Sequence, residues 1–482
     1  MQLRKYIISF LFLGGMFSFS GCDGIFRDVP NDKLSQESIW GSQLLLDEYV
    51  LPWYRNMSNG FSVYMPATAL LKGASRDYLP WYGDQITVSK SDWYNTAYGD
   101  ILKSTPAEVT RRGLINWTNY YTRIQSINLL FENQDKIRNG DHKKRVLGEA
   151  HFFRAYYYYM LLRQFGGVLL LKNNYDPLHD GTKFPRASYE EMVNFIAEEA
   201  DLAASLLSEE LSPRDIGRAT RGAALMLKAK TYFWAASKIY QNQEKSYLGF
   251  PDDRSDAMLT AAAKAYDELM KLPYSLIQIT GSTQDQIKEQ YRQIFLTKNS
   301  QESIWEVQHS NDGDFSNGFG HKLDRESVSP YYGGTVAAYS PTQNHVDEYG
   351  MRDGKAYDAK HPYDNRDYRF YANVLYDGCT FRGRVMEIHY NKVNGKEVAG
   401  EDLTPYGTSE TAAVTKTGYY LGKFVDETQK IDNDESYASK QNYIIWRYAE
   451  VLLDYAEIDF LQNRVDDALD KVNQIRRRVH MD

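Results

Sequence analysis

Gly148-Glu149-Ala150-His151-Phe152-Phe153-Arg154-Ala155-Tyr156-Tyr157-Tyr158-Tyr159 opens the stretch whose reading decides the fold, and Gly166-Gly167 closes it. From Lys143 to Phe165 nothing interrupts a helix, and the glycine pair is a C-terminal stop. Four consecutive tyrosines point all round a helix, so most must pack between neighbouring helices. Gly148 and Ala155 stand seven residues apart, two turns along one face. Small residues there let a second helix approach, and Tyr158 fills the gap beyond. Gly222 and Ala229 repeat the spacing, with Tyr232 in the place of Tyr158, and Ala449 and Ala456 repeat it again. Helix pairs with this rhythm are the mark of tetratricopeptide-like stacking, here degenerate and separated by insertions.

Working outward, helices are predicted near Gln43 to Tyr54 and over Ile115 to Ile137, with Ile124, Ile127 and Leu130 on one face. Ser188 starts another, with Glu191 completing a capping box, and it runs to about Leu207. Further helices are expected over Ala219 to Tyr240, Asp256 to Met270, Tyr443 to Leu461 and Val465 to Val479. Residues 56–95 are dense in Gly, Pro, Trp and Tyr without a sustained period, and read as loops. Ser303 to Gln308 alternates like a strand. The expected fold is therefore mainly α, with degenerate tetratricopeptide-like helical repeats and an irregular, short-stranded insertion. The chain divides into a leader (1–21), a helical part (22–300) that carries the 56–95 loops, the insertion (301–440) and a helical return (441–482).

The 482 residues are 43% hydrophobic and 25% charged, as in ordinary folded proteins. A formal charge of -8 argues against non-specific nucleic-acid binding, which runs on Lys and Arg neutralising phosphates. Tyrosine is abundant, 39 residues against 8 Trp and 21 Phe. Its flat apolar face and polar tip suit both helix packing and sugar binding.

Arg4 and Lys5 precede an apolar run from Tyr6 to Phe19, and Ser20-Gly21-Cys22 follows. This is the pattern of an export signal, too short for a membrane span. The position of Cys22 resembles the lipobox of bacterial lipoproteins, in which the Cys becomes the acylated first residue. Phe19 stands where that pattern usually has Leu. More than one acyl chain would hold the protein on a membrane surface. The only other cysteine is Cys379, so neither a disulfide framework nor a thiolate metal cluster is expected.

The Gly148 to Gly167 stretch looks like the central signature of the SusD/RagB family, the outer-membrane glycan-binding lipoproteins of Bacteroidetes. Five further resemblances follow in family order: Gly217-Arg218-Ala219-Thr220 with Gly222-Ala223-Ala224; Asp364-Asn365-Arg366-Asp367 with Arg369-Phe370-Tyr371; Thr417-Gly418-Tyr419-Tyr420 with Lys423-Phe424; Ile445-Trp446-Arg447-Tyr448-Ala449-Glu450; and Asn473-Gln474-Ile475-Arg476. Each is weak alone, but six in order span nearly the whole chain. The resemblance implies a non-catalytic surface lipoprotein that passes an oligosaccharide to a SusC-like TonB-dependent transporter in the outer membrane. It also implies a further Arg- and acid-rich helical segment after Arg476, where this sequence stops at Asp482. Without such a segment, part of the last repeat's apolar face would be exposed.

His-Glu-x-x-His, a P-loop and Gly-x-Ser-x-Gly are all absent, and Gly318-Phe319-Gly320 lacks a strand-to-helix setting. Asp312-Gly313-Asp314 begins like a calcium loop, but Asn317 and Leu323 stand where its Gly and closing Glu belong. No cofactor, metal or catalytic group is expected.

One ring covering a sugar face yields about 1 kcal/mol, and millimolar affinity needs about 4 kcal/mol, so several rings and polar groups must converge in loops. Arg76, Asp77, Trp81 and Tyr82, with Trp93 and Tyr94 shortly after, form the best candidate cluster. Tyr331 and Tyr332, with Asn344 nearby, form the second. In the resembled family, glycan platforms draw on loops of both regions. The same rings could instead pin long loops onto the scaffold. Trp305 and Trp446 read as core. Two other functions fit the sequence less closely. A peptide-capturing lipoprotein would show few convergent rings, and a glycoside hydrolase would need two essential carboxylates.

Overall fold

A computed structural model describes residues 36–55, 57, 86–87, 117–175, 184–310, 320–334, 337, 340–405, 414–429 and 439–481. The chain is mainly helical. Helices α1 (Gln36–Gly41), α2 (Gln43–Arg55), α3 (Trp117–Glu132), α4 (Asp141–Phe165), α5 (Tyr189–Leu206), α6 (Arg221–Ala235), α7 (Ser255–Leu269) and α8 (Gln284–Leu296) precede the irregular region. Within it lie the short helices α9 (Leu323–Ser327), α10 (Gln343–Asp347) and α11 (Tyr368–Asn373). Helices α12 (Tyr448–Leu461) and α13 (Val465–Arg478) follow.

Helices adjacent in sequence pack on one another from α3 to α7, and α12 pairs with α13 while touching α7. This is the stacked-pair scaffold that the small-residue spacing predicts. The central helix α4 is buried nearly all round, Tyr156 to Tyr159 included. Two of its tyrosines satisfy their hydroxyls inside the core: Tyr157 donates to the Trp53 carbonyl at 2.5 Å, and Tyr158 accepts from the Leu171 N–H at 2.7 Å. The small residues do their expected job. A Cβ on Gly148 would meet the Leu207 side chain at 2.8 Å, and one on Gly222 would press into the Tyr274 ring. Ser188 caps α5, with Glu191 completing the box.

Three elements differ from expectation at their ends. Helix α3 stops at Glu132 and α6 at Ala235, each continued only by a short 3-10 turn, Gln134–Lys136 and Lys238–Tyr240. Tyr443–Arg447 is not the start of a helix but a strand, β10, antiparallel to β2 (Ser303–Val307). Trp446 lies opposite Trp305, with ring centroids 5.5 Å apart, and both are buried. The run Tyr-Ile-Ile-Trp-Arg has no period of its own, and its β-branched and aromatic side chains favour the pleated pairing.

The other strands form two-stranded antiparallel ribbons: β1 (Ile86–Thr87) with β3 (Ser340–Pro341), β4 (Val374–Leu375) with β9 (Tyr420–Leu421), β5 (Thr380–Phe381) with β6 (Arg384–Val385), and β7 (Tyr390–Val393) with β8 (Lys396–Ala399). Ribbons this short need packing to persist. β4, β5 and β9 find it in small apolar clusters around Phe381, Tyr420 and Phe370, apart from the large helical core. At the other end, Leu453, Phe460, Leu461, Val465 and Leu469 leave α12 and α13 with exposed apolar side chains.

Candidate functional site

The motif residues are above all structural. Glu149 on α4 is fully buried and receives Arg218 at 3.0 Å, Arg145 at 3.1 Å and the Tyr54 hydroxyl at 2.8 Å. Arg145 continues to Asp47 on α2 at 2.6 Å. One ion-pair network therefore ties α2, α4 and the entry to α6. Burial works against the Arg218 charge, but Glu149 outweighs it and holds the guanidinium pKa above its ordinary value. A second network joins Arg154 to Glu199 at 2.7 Å and to Asn128 at 3.0 Å, with His151 on the same carboxylate at 2.9 Å. Burial pushes the Glu199 pKa up, yet hydrogen bonds from His151 and Arg154 prevail and hold it below the usual range. In a third, Glu302 accepts from Arg447 and Arg478, both at 2.7 Å, and from the Ile277 N–H at 2.9 Å. The sequence motifs contained Glu149, Arg218, Arg154 and Arg447. Their pairing needed the fold, because the partners stand up to 145 residues apart.

Of the candidate binding residues, Arg76, Asp77, Trp81, Tyr82, Trp93 and Tyr94 lie outside the described residues, as do Cys22 and the 312–317 segment. Between the first two groups, however, β1 is described. It pairs Ile86 with Pro341 and Thr87 with Ser340, which sets the backbone of the 86–87 segment beside the insertion, just ahead of α10.

Tyr331 and Tyr332 lie in a 3-10 turn, Pro330–Tyr332, that Gly333 closes in the left-handed region at φ 84°. Tyr331 is 45% exposed. The Arg384 guanidinium covers one side of its ring at 4.0 Å, and the Tyr332 ring meets it edge-on at 5.0 Å. Tyr332 is half-buried against Phe381 and donates to the Phe381 carbonyl at 3.0 Å. Arg384 is itself fixed by buried Asp402, which also accepts from the Ser329 hydroxyl at 2.5 Å and the Glu387 N–H at 2.8 Å. The partial burial of Arg384 opposes its charge, but Asp402 prevails and raises its pKa. The pair thus divides its work: Tyr332 anchors, and Tyr331 presents a ring oriented by a cation–π contact. Arg384 and Asp402 are the members that sequence reasoning missed, since nothing local links residue 331 to residues 384 and 402.

Asn344 is exposed on α10. Its helix is set by Val346 in the Phe370 cluster rather than in the cluster that holds Tyr332. Cys379 is buried without a disulfide partner, and burial pushes its thiol up to about 11. Among the described residues no group of three His, Cys, Asp or Glu could hold a metal ion, and no helix is long and apolar enough to cross a membrane.

Residues 301–482 match the model of the SusD family, and residues 28–233 match a second model described as "Starch-binding associating with outer membrane". No curated protein matches. Several solved structures do. A SusD-like protein from Bacteroides fragilis shares 24% identity at a TM-score of 0.67, covering 92% of this chain and 80% of its own. A SusD-like carbohydrate binding protein from the same organism shares 20% at 0.68, with the same coverage. Surface glycan-binding protein A from Bacteroides fluxus shares 18% at 0.58, covering 91% of this chain and 82% of its own. With its helical scaffold, its motifs in order and family models matching on both sides of α7, the chain belongs to the SusD/RagB family.

Proposed function

We propose that this protein is a cell-surface lipoprotein of the outer membrane, acylated at Cys22 after removal of residues 1–21. It captures an oligosaccharide and delivers it to a SusC-like TonB-dependent transporter, without catalysing a reaction. The observation that carries the capture step is Tyr331, an exposed ring held in a fixed orientation by Arg384 and Asp402. A ring pre-set in this way loses little freedom when a sugar stacks on it. The β1–β3 ribbon supports a composite face, because it joins the segment between Tyr82 and Trp93 to the insertion. Trp81, Tyr82, Trp93 and Tyr94, with Arg76, Asp77 and Asn344 as hydroxyl-binding partners, then supply the additional rings and polar groups. The relatives' names, carbohydrate binding and glycan-binding, support the ligand class.

The test is a polysaccharide panel in affinity electrophoresis and calorimetry, using protein that begins after Cys22. Binding to one glycan class, weakened about tenfold by Tyr331→Ala and by Trp81→Ala with folding intact, is the expected result. Release of reducing ends would point to a hydrolase. Folded protein that retains no glycan but retains peptides would overturn the reading.

A further inference from the structure

A cleft of about 410 Å³ opens between the loop joining α5 to α6, Tyr274 and the residues around the start of β2. Its size is in the range that holds a small ligand. None of the tyrosine face belongs to it. Glu306 lines it and is only 3% exposed. Buried Asp324 is held by the Gln441 amide, but the buried carboxylates Glu149, Glu199, Glu302, Asp402 and Asp459 each have Arg or Lys alongside. Glu306 is held by neutral donors instead. They are the Asn299 N–H at 2.9 Å, Asn442 Nδ2 at 2.7 Å and the Ser303 hydroxyl. Among the described residues no Arg or Lys nitrogen lies within 4.0 Å of it.

A buried charge without a counter-charge is costly. The arginine in the lining cannot serve, because Arg218 directs its three guanidinium nitrogens to Asp215, Glu149 and Asp47. Glu210 adds negative charge at the exposed rim, while Glu209 beside it is paired with Arg221 at 2.6 Å. Ile216, 49% exposed, and Tyr274 supply apolar wall. A bare metal ion would want several converging oxygens rather than such walls.

We propose that this cleft binds a primary ammonium group carried on a compact apolar frame, with the charge toward Glu306 and the carbon skeleton against Ile216 and Tyr274. An amino sugar, through the C–H face of its ring, and a lysine side chain, through its methylenes, share this chemistry.

Calorimetry of the protein with D-glucosamine, Nα-acetyl-lysine methylamide, N-acetyl-D-glucosamine and calcium chloride separates the possibilities, at a pH where both amines are protonated. At least one ammonium compound saturates a single site, and the tighter of the two names the source. The neutral N-acetyl sugar does not bind there. Glu306→Gln weakens binding about tenfold or more, as loss of a close charge partner in a partly dry site requires. Ile216→Trp blocks the mouth from an exposed position, leaves the hydrogen bonds of Glu306 untouched, and weakens binding by a similar factor. It decides the matter if Glu306→Gln does not fold. The Trp305 indole N–H resonance, inside the lining, reports the site directly. Equal binding of the N-acetyl sugar, calcium displacing the amine, no ammonium binding at all, or unchanged binding in Ile216→Trp would each overturn the proposal. Because no residue of the tyrosine face is involved, failure of the glycan panel leaves this result standing.

Discussion

Glu149 and Arg218 belong to two motifs 69 residues apart, and their buried pairing explains why both residues sit in them. Removing Arg218 leaves Glu149 with Arg145 as its one cation. Arg218→Ala is expected to cost about 1.5–3 kcal/mol in urea unfolding, and a loss under 1 kcal/mol would show that Arg145 alone suffices to hold the buried charge. Tyr331 is the opposite case. Its ring is exposed, so Tyr331→Ala changes stability by about 0.5 kcal/mol or less while acting on ligand affinity. Glu199 adds a pH dependence. Its folded pKa lies below the unfolded value, so its contribution is complete above the unfolded pKa of about 4.3 and is lost as pH falls through the folded pKa. Glu199→Gln should therefore flatten the acid limb of a stability–pH curve, measured by thermal unfolding between neutral pH and acid. Burial of Tyr156 to Tyr159 was legible in the sequence because four adjacent rings cannot all face water. The ion pairs were not, because a charge's partner is chosen by tertiary structure. Arg384 beneath Tyr331 was hidden for the same reason.

Helices with strong local punctuation were the readable elements. Ser188 and Glu191 announce the start of α5 and make the reciprocal hydrogen bonds expected of them. Ser188→Ala should lower stability by about 1 kcal/mol, read from the denaturant midpoint at unchanged slope. The same signal stood at Thr283 and Gln286, which cap α8, yet that helix was not predicted. Its apolar face is carried by Ile287, Tyr291, Ile294 and Phe295 amid polar residues, a pattern that reads as surface until the insertion packs on it. Tyr443–Arg447 failed in the other direction. A short apolar run running straight into a true helix gives no boundary, and only the partner strand, 136 residues upstream of it, decides its conformation. At Gly222 sequence and structure agree. Gly222→Ala must displace the Tyr274 ring and should cost about 1–3 kcal/mol, with a smaller penalty when Tyr274→Phe removes the hydroxyl that stands in the way.

Over the whole molecule the decisive contacts are those that bring distant segments together. Glu302 stands just before β2 and binds arginines from both sides of the final helical pair, Arg447 ahead of α12 and Arg478 at the end of α13. Its backbone carbonyl also accepts the Tyr448 N–H at 2.8 Å. Glu302→Gln should therefore destabilise the last two helices together, by about 3–5 kcal/mol. Hydrogen exchange over residues 448–478 would show it, and exchange confined to one helix would refute a shared anchor. The mainly α architecture was open to reading because helical periodicity is local. The closure was not, because it depends on residues that meet only in the folded state.

The β2–β10 pairing has a consequence for how such a protein can change over time. It joins the chain's path just before the insertion to its path just after, so everything between Gln308 and Tyr443 departs from and returns to one place. The cost of closing such an excursion grows only with the logarithm of its length, about 0.6 kcal/mol for each doubling. Inserts of different length and surface can then be exchanged in one socket while the helices keep their positions. Tyr331, Arg384 and Asp402 all lie within that exchangeable segment, whereas Glu149, Arg218 and Glu302 lie outside it. On the proposed reading of Tyr331, variation in what is recognised is thereby uncoupled from variation in what holds the molecule together.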